Sequence, residues 1–211
     1  MGRPSMTFDE LKTNIADWLN RTDLTSVIPT FITLAEARLN RQLRTTNQYT
    51  RADISTSDQY LSMPSDFLEM RHIRMTSPKE RDLVEIAAHA INEYTDTNFI
   101  AGLADSYPRY FVYGNALRII PTPAESITYE MFYYAKIPAL STTNTTNWVS
   151  TSHPDAYLYY SLMQASPYLG EDERIQIWQL QAERAVAEIQ ASDDRRRTKG
   201  SRHSHNFQAM S

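Results

Sequence analysis

Arg38, Arg41 and Arg44 fall within seven residues of the stretch FITLAEARLNRQLR (31–44), with Glu36 the single acid among them. Three guanidiniums spaced three apart can grip phosphates, or pair with the carboxylates of another protein chain. The same chemistry returns at the end of the sequence. Residues 195–211 (RRRTKGSRHSHNFQAMS) hold Arg195, Arg196, Arg197, Lys199 and Arg202 and no acid. The tail therefore carries +5, and the rest of a chain with net charge −4 carries −9. Such asymmetry marks the tail as an arm for an acidic partner, either a protein or a nucleic acid.

Other reactive chemistry is sparse. Cysteine is absent, which excludes disulfides, thiolate metal sites and cysteine nucleophiles together. The five glycines, at 2, 102, 114, 170 and 200, lie too far apart to cradle a phosphate, so neither the P-loop nor the dinucleotide fingerprint is present. Of the five histidines, His203 and His205 sit in the tail, where nothing preorganises a metal site. His72 lies between arginines in a strand-like run and reads as a surface or interface residue. His153-Pro154-Asp155 resembles the tripeptide of J-domain co-chaperones, but no basic helix precedes it. A helix start with proline in its first turn accounts for it. Glu171-Asp172-Glu173 also stand at a helix start, where the dipole favours negative charge without any hydrolytic role. No nucleophile and base can be paired by spacing. The expectation is no enzyme, no metal and no cofactor.

The elements that carry these residues can be read from periodicity. Thr7 and Glu10 have the spacing of a capping box, and Phe8, Leu11, Ile15, Trp18 and Leu19 share one helical face. After the turn NRTDLTS a second helix places Ile28, Ile32, Ala35, Leu39 and Leu43 within an arc of roughly 80°. Arg41 and Arg44 point the other way and Arg38 lies on the flank. The product is an αα-hairpin over 7–45. From 48 to 136 the texture becomes short β-rich runs separated by Ser, Asp and Pro, which predicts a small antiparallel β-module. Within it, Gly114-Asn115 predicts a hairpin turn, and AAHAINEYTDTNF (87–99) predicts one short helix. ITYEMFYYAK (127–136), aromatic on both faces, predicts a strand covered on both sides. Two helices follow over 153–195, with Pro167 expected to close the first. Beyond Arg197 nothing is periodic, so 196–211 reads as an extended arm, disordered alone.

Helices, then strands, then helices give an α+β class. The expected architecture is a mainly helical bundle with an inserted β-module and a flexible C-terminal tail. No run of 18 apolar residues is present, and MGRPSMTFDE lacks the apolar core of a signal peptide, which favours an intracellular origin.

The order of these features carries a resemblance. LKTNIADWLNRTDL, IPTFITLAEARLNRQLR, YLSMPSDFLEMRHI, YFVYGNALRIIPTP, MFYYAKIPALSTTNTTNW and HPDAYLYYSLMQASPYLGEDERIQIW together closely resemble the head-to-tail adaptor (connector) proteins of tailed bacteriophages, over about residues 7–195. The resemblance implies one structural adaptor domain over 1–195. It implies a dodecameric ring beneath the portal at the head-tail junction of the virion, assembled in the host cytoplasm, that continues the DNA channel to the next tail component. It further implies that the C-terminal arm docks on the portal, which makes Arg195, Arg196, Arg197, Lys199, Arg202 and Phe207 the expected portal contacts. Arg38, Arg41 and Arg44 become expected intersubunit or portal contacts. An acidic body suits a channel that passes DNA without holding it. The alternative is a non-specific DNA-binding assembly or packaging factor, and an uncharacterised hydrolase is a third and weaker reading.

Overall fold

The structure, a computed structural model, describes residues 5–77, 79–90, 108–170 and 172–201. It divides into two compact units, residues 1–47 with 137–211 and residues 48–136. Each has its own apolar core.

The first unit is helical. Helix α1 (Phe8–Leu19) starts at Thr7, whose hydroxyl accepts the Glu10 N–H while the Glu10 carboxylate accepts the Thr7 N–H. This reciprocal box satisfies two of the donors that every helix start leaves open. Asn20 ends the helix in the left-handed conformation with φ 53°. Helix α2 (Ile28–Gln42) carries Pro29 in its first turn, where a missing N–H costs nothing. Then come α3 (Trp148–Ser152), α4 (Pro154–Met163), α5 (Ser166–Leu169) and α6 (Arg174–Ser201). Leu11, Ile15, Ile28, Ile32, Leu39, Leu43, Tyr157, Tyr160 and Trp178 form the heart of one continuous core. Each such aliphatic side chain contributes about 1.5–3 kcal/mol on leaving water.

The second unit is a pair of sheets. Its strands are β1 (Tyr49–Thr56), β2 (Tyr60–Ser62), β3 (Phe67–Met75), β4 (Arg81–Asp82), β5 (Val84–Glu85), β6 (Arg109–Tyr113), β7 (Ala116–Ile120) and β8 (Ile127–Ala135). One sheet has the order β1-β8-β3-β4 and the other β2-β7-β6-β5. Their inward side chains, among them Leu61, Ile73, Leu117, Ile119, Tyr129 and Met131, make a single core. The hairpin β6–β7 turns at Gly114-Asn115, and Gly114 has φ 58° at the first central position.

These findings correct the expected architecture. Among the described residues six α-helices stand beside two four-stranded sheets, so this is an α+β protein and not a mainly helical bundle with a small insert. The β unit was underestimated because the short runs read as strands pair across long stretches of sequence into two sheets, and spacing does not show which run meets which. It is also not wholly antiparallel, since β5 runs parallel to β6. Pro167 lies at the start of α5 instead of closing α4. Of the short helix expected over 87–99, one 3₁₀ turn at Ala88–Ala90 is seen, and the remainder lies outside the described residues.

The helical end differs as well. Residues 196–201, expected in the extended arm, are the last turns of α6. The apolar stripe of α6 stops at Ile189, so periodicity could not reveal this extension. Polar contacts hold it. The Asp193 carboxylate pairs with Arg197 one turn on, at 2.7 Å.

Candidate assembly interface

The arginines on α2 and just beyond its end divide into three situations. The Arg38 guanidinium lies over the Tyr160 ring, 5.3 Å from its centroid. Arg44 folds back on its own helix end, where Nη1 donates to the carbonyls of Asn40 (2.8 Å) and Leu43 (2.6 Å). A basic side chain at a helix C-terminus satisfies open carbonyls and complements the dipole. Arg41 is exposed and meets no carboxylate among the described residues. Arg41 is thus the member of the set held outward.

The tail arginines are placed by a clasp between the end of α6 and the segment after α2. Asp193 is buried, and its Oδ1 accepts both the backbone N–H of Thr46 (2.8 Å) and the Thr46 hydroxyl (2.5 Å). Burial pushes this carboxyl up, but the Thr46 hydrogen bonds and Arg197 outweigh it and leave the group below its ordinary range. Arg197 also donates to the Arg44 carbonyl at 2.7 Å, and Arg196 donates to the Asn47 side chain at 3.2 Å. Arg195 is exposed on the same turn. Lys199 lies on the helix, while Arg202 and Phe207 fall outside the described residues. The structure therefore brings Arg44, Arg196 and Arg197 together at one end of the helical unit. Arg38 and Arg41 stand further back along α2.

A feature that sequence reasoning missed sits on the other side of α2. Glu36, read only as the counter-charge to the arginines, is buried. Its Oε1 accepts the Leu140 N–H at 2.7 Å and the Tyr157 hydroxyl at 3.3 Å. One turn later the Asn40 side chain accepts the Ile137 N–H at 2.8 Å. Asn147 completes the network by donating to the Pro138 carbonyl and to the Tyr157 oxygen. Burial holds the Glu36 carboxyl above its ordinary range, against the lowering effect of the Leu140 and Tyr157 hydrogen bonds. Glu36 and Asn40 thus clasp the connector 137–140 to α2. An acid and an amide four apart on an otherwise apolar flank are the only hint of this in the sequence.

Large apolar side chains are exposed on both units, Val84, Val112 and Tyr113 among them in the β unit. Leu34 on α2 is 46 % exposed, and Ile177 and Leu180 on α6 are 58 % and 65 % exposed. Val27, Phe31, Leu34, Met163, Pro167 and Tyr168 line much of a hollow of about 440 Å³ beside the start of α2. In the β unit, the outward face of the first sheet holds Tyr49 stacked on Phe132, and a Glu130 carboxylate shared by Arg51 (2.8 Å) and Arg74. His72 sits on that face with Nε2 3.0 Å from Asp82. His153 lies at the junction of α3 and α4, with Pro154 opening α4. No cluster of three or more metal-ligating side chains occurs among the described residues. None of their helices is long and apolar enough to cross a membrane.

A family model described as SU10 adaptor protein matches residues 6–204, spanning both units, and the chain belongs to that family of phage head-to-tail adaptors. It is accordingly a structural component of a bacteriophage virion. No curated protein matches the chain.

Proposed function

We propose that the chain forms a ring, dodecameric by family resemblance, that joins the portal to the tail and continues the DNA channel. The observation that carries this reading is the family match from residue 6 to residue 204, through both the helical and the β unit. The outward Arg41, Leu34, Ile177 and Leu180 support it, because side chains of this kind on a structural protein are covered on assembly. In this reading the portal contact is made by the end of α6, from Arg195 through Lys199, and by the segment beyond it with Arg202 and Phe207. An arm anchored by the Asp193 clasp meets the portal from a fixed root, and repetition around a ring multiplies a weak contact.

The test is to mix the protein with a portal ring and image the product. A chain ending at Ser201 is then compared with the full one. The full chain should dock as a ring and the shortened chain should dock weakly. A full chain that neither binds a portal nor forms a ring there overturns the reading. The DNA-binding alternative predicts duplex affinity that falls steeply with salt.

A further inference from the structure

The first sheet ends in β1, which pairs with β8 alone among the described residues. The other three edge strands of the β unit, β2, β4 and β5, are two or three residues long. Short edges offer another chain little to pair with, and β1, at eight residues, is the exception. Its ladder fixes which groups point outward. The Ala135 N–H donates to the Gln48 carbonyl at 2.8 Å, and the Thr76 N–H reaches the Thr128 carbonyl at 2.9 Å from the opposite side of β8. Alternation along an antiparallel pair therefore turns the backbone groups of Thr50, Ala52, Ile54 and Thr56 toward β8. Those of Tyr49, Arg51, Asp53 and Ser55 turn outward and meet no backbone partner among the described residues. β1 holds no proline or glycine that would interrupt a further ladder.

We propose that this edge pairs with the same edge of a second copy, antiparallel, about a two-fold axis at Ala52. In that register every outward residue meets an outward residue. Arg51 stands opposite Asp53 and Tyr49 opposite Ser55, each twice. A shift by two residues either way sets Arg51 against Arg51 or Asp53 against Asp53 and loses a pair. A shift by one sets outward groups against groups already engaged by β8. A lone charge on an edge opposes pairing, but opposite charges placed evenly about Ala52 select one pairing and ask for the same sequence reversed. Arg51 lies 3.3 Å from Asp53 and 2.8 Å from Glu130 in its own chain, and the dimer keeps both contacts. The four charges of two strands then alternate in sign around a square, with like charges only on its diagonals. The pairing does not depend on the adaptor reading. A two-fold contact cannot join successive subunits of a single ring, so the dimer is a form of the chain before assembly that covers this edge.

Because the chain has no cysteine, introduced thiols report the register cleanly. Residues facing each other without hydrogen bonds, as the two copies of Ala52 would, lie about 4.5 Å apart at Cα, within disulfide reach. Sedimentation of the full-length chain by itself should show a dimer that forms with rising concentration. Mild oxidation of Ala52→Cys should trap it. Thr50→Cys or Ile54→Cys alone should give no covalent dimer, whereas a mixture of the two should. Arg51→Asp or Asp53→Arg alone turns two favourable pairs into two repulsive ones and should weaken the dimer about tenfold. The two substitutions in one chain restore opposite charges and should restore the dimer. Far-ultraviolet circular dichroism matching the parent protein confirms that the variants fold. A parent chain that stays monomeric at every concentration overturns the proposal, whatever happens on a portal. So does a dimer that Ala52→Cys fails to trap, or one that either single charge reversal leaves at full strength.

Discussion

Glu36 accepts the backbone N–H of Leu140 at 2.7 Å, across 104 residues of sequence, inside the helical unit. The carboxylate has no cationic partner in this network. Its partners are the Leu140 amide and the Tyr157 hydroxyl, and Tyr157 is itself held protonated by burial and by the adjacent Glu36 charge. An acid placed this way fastens a connector, and its own ionisation works against it.

That tension sets a pH dependence. The folded-state pKa of Glu36 lies above its ordinary value of 4.5, so the folded chain binds this proton more tightly than the unfolded one does. Its contribution to stability is complete below 4.5 and is lost as pH rises through the folded value. In Glu36→Gln this component should vanish, because the amide keeps an acceptor for Leu140 and does not ionise. Urea unfolding of both proteins at steps upward from pH 4.5 checks it. Parallel curves would show that Glu36 does not titrate in this range.

Asp193 should behave in the opposite sense. Its folded pKa lies below its ordinary value of 3.8, so its stabilisation is present above that value and is lost as pH falls through the lower one. Asp193→Ala removes a buried acceptor of three hydrogen bonds and should lower stability by about 2 kcal/mol at neutral pH. Asp193→Asn should lose less. Hydrogen exchange at the Thr46 amide should speed up in both variants, which separates loss of the clasp from a general loosening.

Gly114 tests the β unit by itself. A side chain added there would meet no atom within 4 Å, so its substitution probes the φ of 58° alone. Gly114→Ala should cost about 1 kcal/mol in urea unfolding, and Gly114→Asn should cost less because asparagine tolerates this conformation better. Equal losses in the two variants would point to another cause.

What the sequence made legible was local. The Thr7–Glu10 box, the buried stripe from Ile28 to Leu43 and the Gly114 turn each depend on residues a few positions apart, so spacing exposes them. The role of Glu36 was hidden because its partner is the backbone amide of a distant connector, and any residue at 140 supplies one. The sheets were hidden for a similar reason, since Tyr49 on β1 finds Tyr134 on β8 across the whole unit. The helical start of the expected arm escaped notice because Asp193 and Arg197 support it with charge, where apolar periodicity is silent. Of the arginine candidates, outward orientation could be read for Arg41. The inward turn of Arg44 onto its own helix end could not.

The Glu130 cluster makes a prediction about which partner of an ion pair matters. The Glu130 side chain is 5 % exposed, whereas those of Arg51 and Arg74 are 56 % and 38 % exposed. Without Glu130 the two arginines can turn to water, so Glu130→Gln should be mild. Without both arginines the carboxylate loses its counter-charge, and an unpaired group of this burial costs roughly 1–3 kcal/mol. Each single substitution, Arg51→Ala or Arg74→Ala, leaves one guanidinium on Glu130. Each should therefore cost less than half of the double variant, a non-additivity expected where two groups serve one partner. Urea unfolding of the four variants measures it. Simple additivity, or a Glu130→Gln loss larger than that of the double arginine variant, would mean that the arginines act on this face independently of Glu130.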